Sequence, residues 1–190
     1  HCFGCNKGGD IISFVEEIEG VDFIGALKIL APLAGVELES YDRGQNEAKN
    51  RLLALLERAT DFFHLELEKT PEVVTYLKQR GLIEETINDW RVGFASAGWR
   101  HVADKLNAAG YQDEELEQAG LVVKPTSGVG IKGSRYYERF RSRIMFPIFD
   151  PAGRPVGFSG RIFNGSETEA KYINTPETSL YEKSHLLYGY

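Results

Sequence analysis

The chain has 190 residues, with 42% hydrophobic and 26% charged content, a net charge of −6 and a pI near 5.3. That is enough for one good-sized core or two small ones, and it excludes a disordered, collagen-like or low-complexity polypeptide. No run approaches the roughly 20 apolar residues that span a bilayer as a helix, and two cysteines make no disulfide framework, which fits a reducing cytoplasm.

The first residue is His1, not Met, so the sequence reads as a piece of something longer. Cys2-Phe-Gly-Cys5, followed by Gly8 and Gly9, forms a Cys-x-x-Cys knuckle. Its two-residue spacer lets both thiolates face one ion, but zinc takes four ligands and this gives half a site. His1 is adjacent to Cys2 and is badly placed to share its metal. A redox pair or two inert thiols are the alternatives, although a redox pair normally follows a strand, and none precedes this one.

Asp10 caps a predicted helix over Ile11–Ile18, stopped by Gly20, and Asp22 caps a second. In the second, Phe23, Ala26, Leu27, Leu30 and Leu33 recur at helical spacing and are expected in a core, with Pro32 bending the last turn and Gly35 ending it. Glu37 to Asn46 is polar and reads as a linker. A long helix is expected from Glu47 to Glu68, with Leu52, Leu55, Leu56, Ala59, Phe62, Phe63 and Leu67 on one stripe.

Pro71 opens a helix that Gly81 stops, and a short helix covers Glu84 to Trp90. Trp99–Ala109 and Asp113–Ala119 complete a helical set, with Trp90 and Trp99 expected as core anchors rather than stacking platforms. From Leu121 the pattern turns to strands: 121–123, 143–149, 155–158 and 171–173, with Asp150-Pro-Ala-Gly153 as a hairpin turn. Pro147 inside a strand implies an edge or a bulge. The Gly-rich stretch 126–133 is no P-loop, since no Gly-Lys-Ser/Thr opens a helix.

Charge is distributed unevenly along the chain. Residues 124–190 hold ten Lys and Arg against six acids, whereas residues 1–123 carry a net −10. Basic residues at the ends of apolar strands can line one groove suited to a polyanion, and a solvated mixed-charge face is the plain alternative.

Several motifs occur in order: His-Cys-Phe-Gly-Cys…Gly-Gly-Asp, Tyr76-Leu-x-x-Arg80-Gly-Leu82, Arg139-Phe-Arg-x-Arg-Ile-Met-Phe-Pro-Ile148, Gly157-Phe-x-Gly-Arg161, Lys171-Tyr-x-Asn-x-Pro-Glu-Thr178 and Lys183…Leu187-Tyr-Gly189. Any one is weak. Six in register are specific, and the series resembles the bacterial-type DNA primase of the DnaG family over essentially the whole chain.

The resemblance implies an α+β fold: a truncated zinc ribbon with helices, a long helical linker, then helices with an antiparallel sheet. The implied boundaries are 1–38 for the end of a zinc-binding domain, 39–69 for the linker and helix, and 70–190 for the amino-terminal subdomain of the RNA polymerase core. It implies primer synthesis on single-stranded DNA template from ribonucleoside triphosphates, an RNA primer product, Mg2+ or Mn2+ held by acids of an absent Toprim half, and a replicative helicase met through an absent carboxy-terminal domain. Cys2 and Cys5 match the family's downstream zinc pair, and His1 does not match its ligand His. The family's basic cleft positions fall on Arg80, Arg139, Arg141, Arg161, Lys171 and Lys183, with Asn174 beside them and Arg143 as a further member. Tyr136, Tyr137 and Tyr172 could stack on bases or simply pack. A non-catalytic single-strand-binding module and a phage or plasmid primase–helicase are the competing readings.

Overall fold

The structure is a computed structural model that describes residues 1, 3–4, 8–36, 43–125, 135–165 and 168–184. Cys2, Cys5 and the whole Gly-rich stretch 126–133, with Lys132, lie outside the described residues. The chain divides into two compact units, His1–Arg43 and Gly44–Tyr190.

In the first unit the caps act as the sequence requires. The Asp10 carboxylate accepts from the Ser13 N–H (2.9 Å) at the start of α1 (Ile11–Glu19), and Gly20 ends the helix in the left-handed region at φ 65°. Asp22 accepts from the Gly25 N–H (2.8 Å) to start α2 (Phe23–Leu33), whose last turn contains Pro32. The expected core is not there. α1 buries no residue and α2 buries only Ala26 and Ala31, while Phe14, Phe23 and Leu33 stand exposed. Two short helices that cover each other along one seam leave their outer positions unburied.

The second unit is built on α3 (Arg43–Glu68). It starts four residues before the expected Glu47, because nothing in Arg43–Asn46 stops a helix: there is no proline, and a single glycine costs only about 1 kcal/mol. Its apolar stripe is buried at Leu52, Leu55, Leu56, Ala59, Phe63 and Leu67. Then come α4 (Pro71–Gln79), α5 (Glu84–Asp89), β1 (Gly93–Ala95), α6 (His101–Ala108), α7 (Asp113–Gln118), β2 (Val122–Val123), β3 (Tyr137–Glu138), β4 (Arg143–Phe149), β5 (Pro155–Ile162) and β6 (Tyr172–Asn174). Among the described residues no helix is long and apolar enough to cross a membrane.

Strands β1-β4-β5-β6 form one antiparallel sheet in that order, and β2 pairs with β3. β1 and β3 were not expected, being too short for an alternating pattern, and β5 runs four residues past Phe158. Pro147 lies in an inner strand, yet β1 pairs with β4 only as far as Met145, and a register irregularity follows between Ile148 and Phe149. The proline's missing N–H therefore breaks no ladder on the β1 side.

Alternation along β4 divides the core in two. Met145, with Ala95 and Phe158, packs on Phe63, Leu106, Leu116 and Phe140. Ile144, with Phe94, packs on Val73, Leu77, Ile87 and Val92. The sheet is thus covered on both faces by helices.

β1 lies very close to α3 at one point. A Cβ at Gly93 would sit 2.6 Å from the backbone carbon of Phe63, and backbone cannot swing aside as a flexible side chain can. Gly93→Ala is therefore expected to destabilise the fold by about 1–3 kcal/mol through overpacking. A fall in the urea midpoint measures this, and an unchanged midpoint would refute the close approach.

Candidate nucleic-acid interface

The β5–β6 register determines which predicted residues meet. Arg161 pairs with Ile144 on one side and Tyr172 on the other, and Ser159 pairs with Asn174, so Arg161, Tyr172 and Asn174 share one sheet face. The end of α4 brings Arg80 there. Its Nε–H donates to the Tyr76 hydroxyl (3.2 Å), and the Tyr76 ring centre lies 5.6 Å from the Arg80 guanidinium carbon and 5.3 Å from that of Arg161. Arg161 is also 5.8 Å from the ring centre of Tyr172, which is largely exposed. Lys171, just before β6, is exposed, and its carbonyl accepts from the Ile162 N–H (2.9 Å).

Arg143 does not join this group. It lies one residue out of phase, pairing with Ile162, and so falls on the opposite face. It is 6% exposed, donates Nη1–H to the Gly160 carbonyl (3.0 Å), and burial pulls its pKa down. A side chain enclosed in this way is a tie across the sheet and not part of an open wall. The regular Arg139, Arg141, Arg143 interval in the sequence conceals that difference.

Arg139 and Arg141 lie beside a second aromatic group. Arg141 stacks on Trp99, 3.9 Å from the ring centre, and approaches Tyr137 at 5.3 Å; the two rings meet edge to face at 5.8 Å. Trp99 was expected as a core anchor but is 39% exposed, and Trp90 is likewise part-exposed. Tyr136, considered for stacking, is buried and belongs to the core. Arg139 is half-buried, its Nε–H has no partner among the described residues, and desolvation lowers its pKa. Lys183 is exposed, with its N–H donating to Glu177 (3.2 Å).

Their partners set these cations apart from four arginines that fasten the unit together. Elsewhere in the unit, Arg51 pairs with Glu115, Arg91 with Glu57 and Asp61, Arg100 with Asp104 and Asp113, and Arg154 with Asp150. Among the described residues none of Arg80, Arg139, Arg141, Arg161, Lys171 or Lys183 forms an ion pair. Aromatic rings and carbonyls hold several of them in place without neutralising them. The sequence count of acids and bases could not show which bases were already paired. Trp99 and Tyr76 also escaped it, although the Tyr76-x-x-x-Arg80 spacing places both on one helix face.

Residues 62–190 match the family described as the DNA primase catalytic core, N-terminal domain, and residues 1–46 match the CHC2 zinc finger. The chain belongs to the DnaG-type DNA primase family. DNA primases of Deinococcus radiodurans and Geobacillus stearothermophilus are 38% and 39% identical over the whole chain, which spans 31% and 32% of their lengths. Among solved structures, the RNA polymerase domain of Mycobacterium tuberculosis primase DnaG with a double-stranded DNA oligomer carrying a 6-nucleotide overhang matches 74% of the chain and 42% of its own length (TM-score 0.64, 37% identity). A DnaG primase catalytic domain bound to ssDNA matches 76% of the chain and 43% of its own length (TM-score 0.65, 33% identity). The zinc-binding and RNA polymerase domains of Aquifex aeolicus primase match 99% and 44% (TM-score 0.65, 29% identity). The mixed helices and antiparallel sheet are therefore those of the primase family.

The zinc-finger match makes Zn2+ the metal to consider. Cys2 and Cys5 would supply two thiolates, which fits half of a tetrahedral site. Among the described residues no group of three or more His, Cys, Asp or Glu could hold an ion.

One acid fixes the second aromatic group in place. Glu138, 4% exposed, accepts from the N–H groups of Val102 (2.6 Å) and Ala103 (2.9 Å) in the first turn of α6. Its own N–H donates to the Trp99 carbonyl (2.9 Å), and its carbonyl accepts from Arg141 Nη1 (3.0 Å). Burial outweighs the two backbone hydrogen bonds and raises its pKa above 4.5. The folded state therefore binds this proton more tightly than the unfolded chain does. Its contribution to stability is full below about pH 4.5 and declines as pH rises through the folded value. The stability of the native protein minus that of Glu138→Gln, from urea titrations across this range, is expected to shrink with rising pH. A pH-independent difference would contradict the burial argument.

Proposed function

We propose that this chain is the template-holding part of a DNA primase, binding the backbone of single-stranded DNA through Arg80, Arg139, Arg141, Arg161 and Lys171, with Asn174 and Lys183 beside them. The observation that carries the reading is the set of un-neutralised cations within a chain that belongs to the primase family. Guanidinium forks hold phosphate oxygens two at a time, while lysine supplies a point charge. Trp99 and Tyr172 give part-exposed rings on which bases can stack.

The parent protein would synthesise RNA primers from ribonucleoside triphosphates. Phosphoryl transfer of that kind uses two divalent ions, Mg2+ or Mn2+, held by converging carboxylates. No Glu-Gly-Tyr-x-Asp followed by an acidic pair occurs here, so we assign the metal-binding acids to the rest of the parent protein, together with the helicase contact. On this reading the chain by itself binds template but does not polymerise. The proposed domain boundaries are 1–38, 39–69 and 70–190, with the helix of the middle segment, α3, packed into the core of the last.

Anisotropy with a labelled single-stranded oligonucleotide tests the binding. Affinity is expected to fall steeply with salt, and Arg141→Ala and Lys171→Ala should each weaken it and flatten the slope of log K against log salt by about 0.7 per phosphate lost. Trp99→Ala should cost about 1–3 kcal/mol of binding. Native-like affinity in both cationic variants throughout the salt series would remove the cleft assignment.

A further inference from the structure

Tyr76 lies at the centre of the first cationic group and is not itself charged. Its ring is anchored from below: Phe163 meets it edge to face at 5.6 Å, and Phe94 meets Phe163 in the same way at 6.0 Å, so the ring belongs to the packed end of the sheet core. Towards solvent, its hydroxyl accepts the Arg80 Nε–H (3.2 Å), while its ring lies near both Arg80 and Arg161. Arg80 follows one turn later as the C-cap of α4, which keeps the two side chains on one side of the helix end.

This arrangement has a chemical consequence for the guanidiniums. A carboxylate partner would orient Arg80 but cancel its charge. A phenol hydroxyl occupies only the Nε–H and leaves the terminal nitrogens to meet a phosphate. Among the described residues the buried Arg161 Nε–H has no hydrogen-bond partner, and the rings of Tyr76 and Tyr172 lie within cation–π reach of its guanidinium. Fixing two long cationic side chains before the ligand arrives removes ordering entropy from the binding step.

We infer that Tyr76 is a positioning residue for polynucleotide phosphate, holding Arg80 through its hydroxyl and Arg161 through its ring so that both bind phosphate as charged, pre-oriented forks. The inference rests on the single-strand-binding reading above, and the experiment separates the two. Anisotropy with single-stranded DNA over a salt series, and urea unfolding, would be measured for Tyr76→Phe, Arg80→Ala, Arg161→Ala and the double variant Tyr76→Phe/Arg80→Ala. Tyr76→Phe keeps the ring on Phe163 and loses only the hydroxyl. It is expected to weaken binding about threefold at low salt with an unchanged unfolding midpoint, and to have no further effect once Arg80 is alanine. Tyr76→Leu, which also removes the ring, is expected to weaken binding about tenfold. Native affinity in Tyr76→Phe while Arg80→Ala binds weakly would overturn the positioning role and leave the binding reading intact. An undiminished effect of Tyr76→Phe in the Arg80→Ala background would also overturn it. Native affinity in both Arg80→Ala and Arg161→Ala would instead remove the binding reading on which it rests.

Discussion

The buried Glu138 joins three pieces of chain: the loop of Trp99, the start of α6 and the turn that carries Arg141. Its side chain takes up two orphan N–H groups at the start of α6, and its main chain ties the Trp99 carbonyl on one side and the Arg141 guanidinium on the other. Arg100, at the cap position of α6, makes no capping bond, so the helix depends on an acid from another element. Burying that acid costs free energy, which the hydrogen bonds and the α6 dipole offset only in part. In return, the loop carrying Trp99 and the turn carrying Arg141 are fixed to the same point, and the cation–aromatic stack is set from behind.

The same economy of charge runs through the second unit. Arg51, Arg91, Arg100 and Arg154 have carboxylate partners and act as fasteners between elements. Arg80, Arg141 and Arg161 have rings or carbonyls instead. A surface ion pair contributes little stability and leaves little net field. A guanidinium held against a ring is equally well oriented but keeps its full charge. The contrast is between arginines used for structure and arginines left available for an anion.

Most of the helices were legible because their signals are local. Asp10 and Asp22 cap, Pro71 opens, Gly20 and Gly81 stop, and the α3 stripe needed only its spacing. The β4–β5 hairpin was legible for the same reason, since Asp150 to Gly153 forms the turn and β-branched and aromatic residues flank it. β1 and β3 were not, because two or three residues carry no period and exist as strands only through their partners. The separation of Arg143 from Arg161 was hidden for a related reason. It depends on pairing parity between strands, which residue intervals along one strand do not specify. Trp99 was misread because tryptophan is usually buried, whereas here its support comes from Tyr137 and Arg141.

The acidic balance of the whole chain at first argues against a polyanion, since a net −6 repels one at long range. The distribution of partners reverses that inference at short range. Six acids of the second unit, Glu57, Asp61, Asp104, Asp113, Glu115 and Asp150, are paired with arginines, and burial removes Glu138 from the surface. Within a Debye length of about 8 Å at physiological salt, only nearby charges act on a bound strand. A phosphate close to Arg80, Arg161 or Arg141 therefore meets cations without ion-paired carboxylates, while a phosphate near Arg51, Arg91, Arg100 or Arg154 meets ion pairs. A net negative protein can thus confine a nucleic acid to one surface by repelling it from the rest, which is a source of orientation that a uniformly basic domain would lack.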